Sequence, residues 1–178
     1  MKPEEIKALV RTIPDFPKPG ILFRDVTTLI GHGQGFAAAV EMLAGAASEK
    51  DIVSIAGIEA RGFIFGAAVA ARMGVPFIPV RKPGKLPVPV LAMDYALEYG
   101  TDTLEVDPDA VPKGTSVLLI DDLIATGGTA MAAVELLRKA GGVVKDSLFV
   151  IDLPDLGGTE RLRSDGIEVR ALMKFEGD

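Results

Sequence analysis

Hydrophobic and polar positions change their period several times along the chain, and each change marks an element. The runs "DIVSIAGI" (51–58), "VPFIPVR" (75–81), "VLLID" (117–121), "GVVKDSLFVIDL" (142–153) and "IEVRALM" (167–173) are short, apolar and rich in Val and Ile, which predicts strands. Between them, apolar residues recur at helical spacing over 34–49, 61–73 and 129–140, with a shorter stretch around 159–164. Pro3 followed by Glu4 and Glu5 suits the first turn of a helix, predicted to run to about Thr12. "PDFPKPG" (14–20) reads as a rigid connector, because three prolines exclude both helix and central strand. "ILFRDVTTLI" (21–30) is β-rich but interrupted by Arg24 and Asp25. "GKLPVPVLAMDYALEYG" (84–100) has two prolines and apolar positions at Val88, Val90, Leu91 and Met93, and reads as a long irregular loop. Loops of that length in compact domains are commonly lids.

Strands alternating with helices of roughly 12 residues predict an α/β fold: a doubly wound, mostly parallel sheet flanked by helices, with right-handed crossovers. The whole chain, 1–178, is expected to form one domain. In such sheets the ligand crevice lies beyond the carboxyl ends of the strands. Composition narrows the chemistry. The net charge is −6 and no Lys/Arg block exceeds two, so a general grip on nucleic acid is not expected. Cys is absent and His32 is the only His, which removes thiolate and Ser-His-Asp chemistry and multi-His zinc sites. Any metal would be a hard, oxygen-liganded ion such as Mg²⁺. The first ten residues carry charges where a signal peptide needs an apolar stretch. The longest uncharged apolar helix candidate, between Arg61 and Arg72, falls short of the roughly 20 residues a membrane span needs. The expectation is a cytoplasmic protein without membrane association.

The most informative stretch is "IDDLIATGGT" (120–129), where two adjacent acids end a strand and a small glycine-bearing turn leads into a helix. A plain strand-to-helix turn with solvated acids would account for Gly127-Gly128 alone. Thr126 and Thr129 flank the glycines, however, and add hydroxyl donors to the N–H groups and dipole of a helix N-terminus. That combination suits a phosphate dianion. Asp121 and Asp122 would repel the same phosphate, so they make sense facing a sugar diol or a Mg²⁺ ion. The triphosphate pattern G-x-x-x-x-G-K-[ST] is absent and no G-x-G-x-x-G follows a strand. A ligand with one phosphate, a diol and further negative charge remains, and phosphoribosyl pyrophosphate meets all three demands.

These residues carry a resemblance. "VLLIDDLIATGGTA" resembles the phosphoribosyl pyrophosphate motif of the type I phosphoribosyltransferases. "DFPKPGILFRDVT" (15–27), "GIEARGFIFG" (57–66), "VRKPGKLP" (80–87) and "YALEYGTDTLE" (95–105) are similar to stretches of the adenine phosphoribosyltransferases, in the same order over nearly the whole chain. Asp-Asp rather than Glu-Asp in the acidic pair favours the adenine branch. The resemblance implies transfer of the 5-phosphoribosyl group from phosphoribosyl pyrophosphate to adenine, giving AMP and pyrophosphate with Mg²⁺, by a homodimer. A relative acting on hypoxanthine, guanine or xanthine is the nearest alternative, and a non-catalytic phosphoribosyl pyrophosphate sensor is another.

Residue roles follow from the same resemblance. Ala125, Thr126, Gly127, Gly128 and Thr129 are expected to cradle the 5′-phosphate, and Asp121 and Asp122 to hold the ribose hydroxyls directly or through Mg²⁺. Arg61, Arg81, Lys82 and Lys85 are expected at pyrophosphate, although a basic loop is more often merely solvated. Leu22, Phe23, Arg24 and Leu123 are expected at the base, within an N-terminal base-recognition segment (1–33), although Phe23 and Leu123 would equally suit core packing. Glu98 is the expected proton carrier and Tyr99 its neighbour in a lid over 82–100. His32 is left as a loop residue with no matched role.

Overall fold

The computed structural model describes residues 1–97 and 100–177. In chain order the elements are α1 (Pro3–Lys7), β1 (Arg11–Pro14), β2 (Leu22–Asp25), α2 (Thr27–Ile30), α3 (Gly33–Ser48), β3 (Ser54–Ile58), α4 (Arg61–Met73), β4 (Phe77–Val80), β5 (Leu91–Ala96), β6 (Thr101–Val106), β7 (Ser116–Ile124), α5 (Gly128–Lys139), β8 (Val143–Asp152), α6 (Gly158–Ser164) and β9 (Glu168–Lys174). Five strands form the central sheet in the order β4-β3-β7-β8-β9, and every neighbouring pair is parallel. This is the doubly wound α/β architecture read from the alternation of apolar runs.

The sheet buries both faces, as parallel sheets must. Along β7, Val117 and Leu119 enter one core layer while Leu118 and Ile120 enter the other. The layer with Leu118 is closed by α1 to α4 through Ile6, Leu29, Leu43, Phe65 and Val69. The opposite layer is closed by α5, by Leu162 of α6 and by Leu104 and Val106 of β6. Among the described residues, no helix is long and apolar enough to cross a membrane.

Four local expectations need correction. The first helix stops at Lys7 rather than Thr12, because Arg11–Pro14 is drawn into an antiparallel pair with Leu22–Asp25. That pairing is locked by Arg11 on Asp25 (2.5 Å) and by Arg24 on Thr12 (2.7 Å), so Arg24 and Asp25 belong to a strand instead of interrupting one. The acids at 121 and 122 do not end their strand: β7 continues to Ile124, and Leu123 and Ile124 still pair with Ile151 and Asp152. The stretch over 82–100 is not a purely irregular lid loop. Leu91–Ala96 pairs antiparallel with Thr101–Val106, Leu91 opposite Val106 and Ala96 opposite Thr101. Its alternation is visible in hindsight, since Leu91, Met93 and Tyr95 turn towards the core while Ala92, Asp94 and Ala96 face out. The paired prolines at Pro87 and Pro89 mask that signal. His32 also has a place: its Nδ1 accepts the Gly35 N–H at 3.0 Å and caps the start of α3.

Candidate active site

The strand order reverses between β3 and β7, since the chain runs outward from β3 to β4 and returns to place β7 on the other side. At such a switch point the loops leaving two neighbouring strands diverge and open a crevice. A cavity of about 480 Å³ lies there, lined by residues 58–61 after β3, Lys82 after β4, and residues 121–130 at the end of β7 and the start of α5. The sequence-predicted Arg61, Lys82, Asp121, Asp122, Leu123 and Ala125 to Thr129 therefore converge on one crevice. Arg81, Lys85, Leu22, Phe23 and Arg24 do not line it.

The phosphate-type loop is shaped by its backbone. Gly127 opens α5 with φ +80°, and a β-carbon there would sit 2.9 Å from the Gly158 α-carbon. The turn is thus pressed against the start of α6, where the Gly158 N–H donates to the Ala125 carbonyl at 2.9 Å. Among the described residues no side chain caps the α5 N-terminus, which leaves its first N–H groups and dipole for an anion.

The two acids sit at the floor of the crevice in unlike surroundings. Asp121 is pressed against α4: a β-carbon on Gly62 would fall 2.5 Å from its Oδ1, which also accepts the Asp122 N–H at 2.9 Å. Burial, reinforced by the Asp122 charge beside it, pushes the Asp121 carboxyl well above the usual carboxylate range. Asp122 is 4% exposed. Its Oδ2 lies 2.6 Å from Arg61 Nε, an ion pair not aligned as a hydrogen bond, so this buried oxygen has no hydrogen-bond partner among the described residues. Two clustered hard oxygens, one underused and one opposed in its charge, fit a divalent cation of the Mg²⁺ type. Among the described residues no cluster of three His, Cys, Asp or Glu completes a metal site. A bound ion would therefore draw its remaining ligands from substrate oxygens and water, as Mg²⁺ commonly does.

Every cation predicted for pyrophosphate, apart from Lys85, is held by a carboxylate. Arg61 pairs with Asp122, Arg81 Nε with Glu59 Oε2 at 3.2 Å, and Lys82 with Asp102. The Lys82 N–H and the Arg81 guanidinium hold the Glu59 carboxyl below its usual range, against the effect of burial. Burial works against the Lys82 charge, but Asp102 and Tyr95 more than offset it and raise the ammonium above its usual value. Lys85 is exposed.

The base-side residues divide. Leu123 lines the crevice and packs against the adjoining core. Phe23 stands edge-on to Phe16 at 5.2 Å, and the Arg61 guanidinium lies 5.7 Å from its ring centroid. Arg61 thereby bridges the acid pair and the N-terminal hairpin. The Arg24 side chain does other work: it is buried, donates to the Glu176 carbonyl at 3.0 Å, and stacks over Phe175 at 4.7 Å. Leu22 is half-buried beside it. Glu98 and Tyr99 lie outside the described residues. Three neighbours escaped the sequence reading. Glu59 anchors Arg81 and Lys82, Asp102 holds Lys82, and the Arg161 guanidinium comes within 3.6 Å of the position a Gly128 β-carbon would occupy. Glu59 and Asp102 fall inside stretches already quoted, "GIEARGFIFG" and "YALEYGTDTLE", while nothing in the local sequence marks Arg161.

The phosphoribosyl transferase domain model matches residues 27–152. An adenine phosphoribosyltransferase of Novosphingobium aromaticivorans is 63% identical over 177 residues, covering 99% of each chain. The crystal structure of adenine phosphoribosyltransferase from Thermoanaerobacter pseudethanolicus superposes with a TM-score of 0.93 at 48% identity, covering 98% of this chain and 100% of that one. The enzyme of Saccharomyces cerevisiae, solved with an imino-altritol bisphosphate and adenine, gives a TM-score of 0.89 at 37% identity over 96% and 98% of the two chains. The chain therefore belongs to the phosphoribosyl transferase domain family, among the adenine phosphoribosyltransferases.

Proposed function

We propose that the chain transfers the 5-phosphoribosyl group from phosphoribosyl pyrophosphate to adenine, releasing AMP and pyrophosphate. The observation that carries this reading is the acid pair at 121–122 set beside the uncapped α5 N-terminus in one crevice, in a chain whose relatives are adenine phosphoribosyltransferases over their full length. Backbone N–H groups and hydroxyls from Ala125 to Thr129 hold the 5′-phosphate. Asp121 and Asp122 take the ribose 2′- and 3′-hydroxyls and face the positive charge that develops on the sugar as the pyrophosphate bond loosens. Arg61, Arg81, Lys82 and Lys85 receive the leaving pyrophosphate, whose charge displaces Arg61 from Asp122. Mg²⁺, when bound through Asp121 and Asp122 or through water and the diol, neutralises phosphate charge.

Adenine enters between Phe23 and Leu123, with the backbone of Leu22 and Arg24 reading its edge. Among the described residues strand β2 pairs with β1 on one side only, which leaves its other edge for such contacts. Glu98 shares the proton at the purine N7 as N9 attacks the anomeric carbon. The segment over 82–100 closes above the site and excludes water from the sugar cation. The molecule works as a cytoplasmic homodimer.

Incubation with adenine, phosphoribosyl pyrophosphate and Mg²⁺ is expected to yield AMP and pyrophosphate in equal amounts. Binding of phosphoribosyl pyrophosphate without product would transfer the chain to the sensing regulators instead. Replacing Glu98 by Leu is expected to lower kcat by roughly 10²–10⁴-fold, the range of a positioned acid or base. A kcat within about threefold of the parent would move the proton to solvent.

A further inference from the structure

Lys82 is the cation of the crevice whose surroundings are most completely built. Its Nζ donates to the Tyr95 hydroxyl at 3.1 Å and forms an ion pair with Asp102 Oδ2. The Tyr95 hydroxyl donates in turn to the same Asp102 oxygen at 3.1 Å, which closes a three-membered ring of polar contacts. The other oxygen, Asp102 Oδ1, accepts the Thr103 N–H at 2.8 Å and fixes the carboxylate against its strand. Tyr95 and Asp102 stand directly opposite each other across β5 and β6, so the hairpin pairing itself sets their separation. At the root of the lysine, the Lys82 N–H donates to Glu59 Oε2 at 2.8 Å. Both ends of a flexible four-carbon side chain are therefore held, and Lys82 lines the crevice.

An ammonium has three donors. Two are used by Asp102 and Tyr95, and among the described residues one remains for a ligand. We propose that Tyr95 and Asp102 are positioning residues that hold the Lys82 ammonium for pyrophosphate, making the β5–β6 hairpin part of the pyrophosphate site. The inference rests on the reading that Lys82 meets pyrophosphate. Ordering a lysine beforehand removes a rotamer cost that would otherwise fall on binding. A carboxylate in this place also keeps the lysine charged.

The test is a double-mutant cycle on K82A and D102N, with Y95F as a milder variant, read by pyrophosphate inhibition, by the KM for phosphoribosyl pyrophosphate and by AMP binding. D102N is expected to weaken pyrophosphate and raise the KM by about tenfold, the loss of one charge-assisted contact, while kcat and AMP affinity hold within about twofold. Y95F moves the same two quantities in the same direction by a smaller factor. Adding D102N to K82A changes nothing further, because a positioning residue acts only through the group it positions. Should D102N prove unstable, Y95F with an unchanged melting temperature carries the comparison alone. Unchanged or tighter pyrophosphate binding in D102N and Y95F, or losses that add to that of K82A, overturns the inference. If K82A itself leaves pyrophosphate binding intact, the assignment of Lys82 fails first and the inference falls with it.

Discussion

Asp121 and Asp122 are adjacent in sequence yet differ in what holds them. Asp122 has Arg61 at 2.6 Å, while Asp121 is wedged against Gly62 and accepts the N–H of its neighbour. The raised Asp121 carboxyl has a stability consequence with a defined sign. A folded-state value above the unfolded one means the native protein holds the extra proton between the two, so stability falls as pH rises through that window. Asp121→Asn removes the penalty and can still accept the Asp122 N–H. The variant is expected to be more stable than the parent at neutral pH, with the gap closing towards pH 4, while kcat drops by about 10²–10³, the scale of a lost electrostatic contact to the reacting group. Thermal melts across pH 4 to 8 beside steady-state rates decide it, and a variant no more stable than the parent at pH 7.5 contradicts the reading. The acids, the glycine turn and Arg61 were legible in the sequence because their types and order are unusual for plain structure. The cost of bringing them together, a carboxyl pressed against a helix, was not, because it depends on how closely α4 approaches β7.

At the scale of elements, legibility followed the source of stability. The five core strands and α3 to α6 were readable, since their apolar periods are set by burial against one sheet. The two small hairpins were missed for different reasons, and the N-terminal one is sustained by side-chain pairing across its strands. In the N-terminal hairpin that pairing centres on Asp25. The Thr27 hydroxyl and N–H, followed by Arg11, lower its carboxyl to about 2. A depressed folded-state value adds stability above the ordinary carboxylate range and loses it as pH falls towards 2. Asp25→Ala is expected to cost about 1–3 kcal/mol at pH 7 and roughly half of that at pH 3, where the folded-state carboxyl is still mostly ionised. Denaturant unfolding at the two pH values measures this, and an equal cost at both would show that Asp25 acts through packing. The β5–β6 hairpin was hidden differently, by prolines that end just before Leu91 and by a strand partner that begins only at Thr101.

The whole molecule makes an anion site in an acidic protein. With a net charge of −6, it does not attract its substrate by overall charge, so binding must rest on local cations. Each of Arg61, Arg81 and Lys82 is kept beside a carboxylate. The topology does the gathering: the reversal between β3 and β7 sets residues 58–61 beside residues 121–130, which are remote in sequence. The proposed choice of base belongs to this scale too, because the residues expected at adenine lie on the N-terminal hairpin and on β7. Adenine's exocyclic amine donates a hydrogen bond, whereas hypoxanthine carries an oxygen at that position. A backbone carbonyl near Leu22–Arg24 would accept the first and oppose the second. Sites built on such hydrogen bonds discriminate by about 10⁴-fold or more. The decisive measurement is kcat/KM for adenine and hypoxanthine under one set of phosphoribosyl pyrophosphate and Mg²⁺ concentrations. Preference for adenine by about 10⁴-fold is the expected result, and comparable values for the two bases would contradict the account.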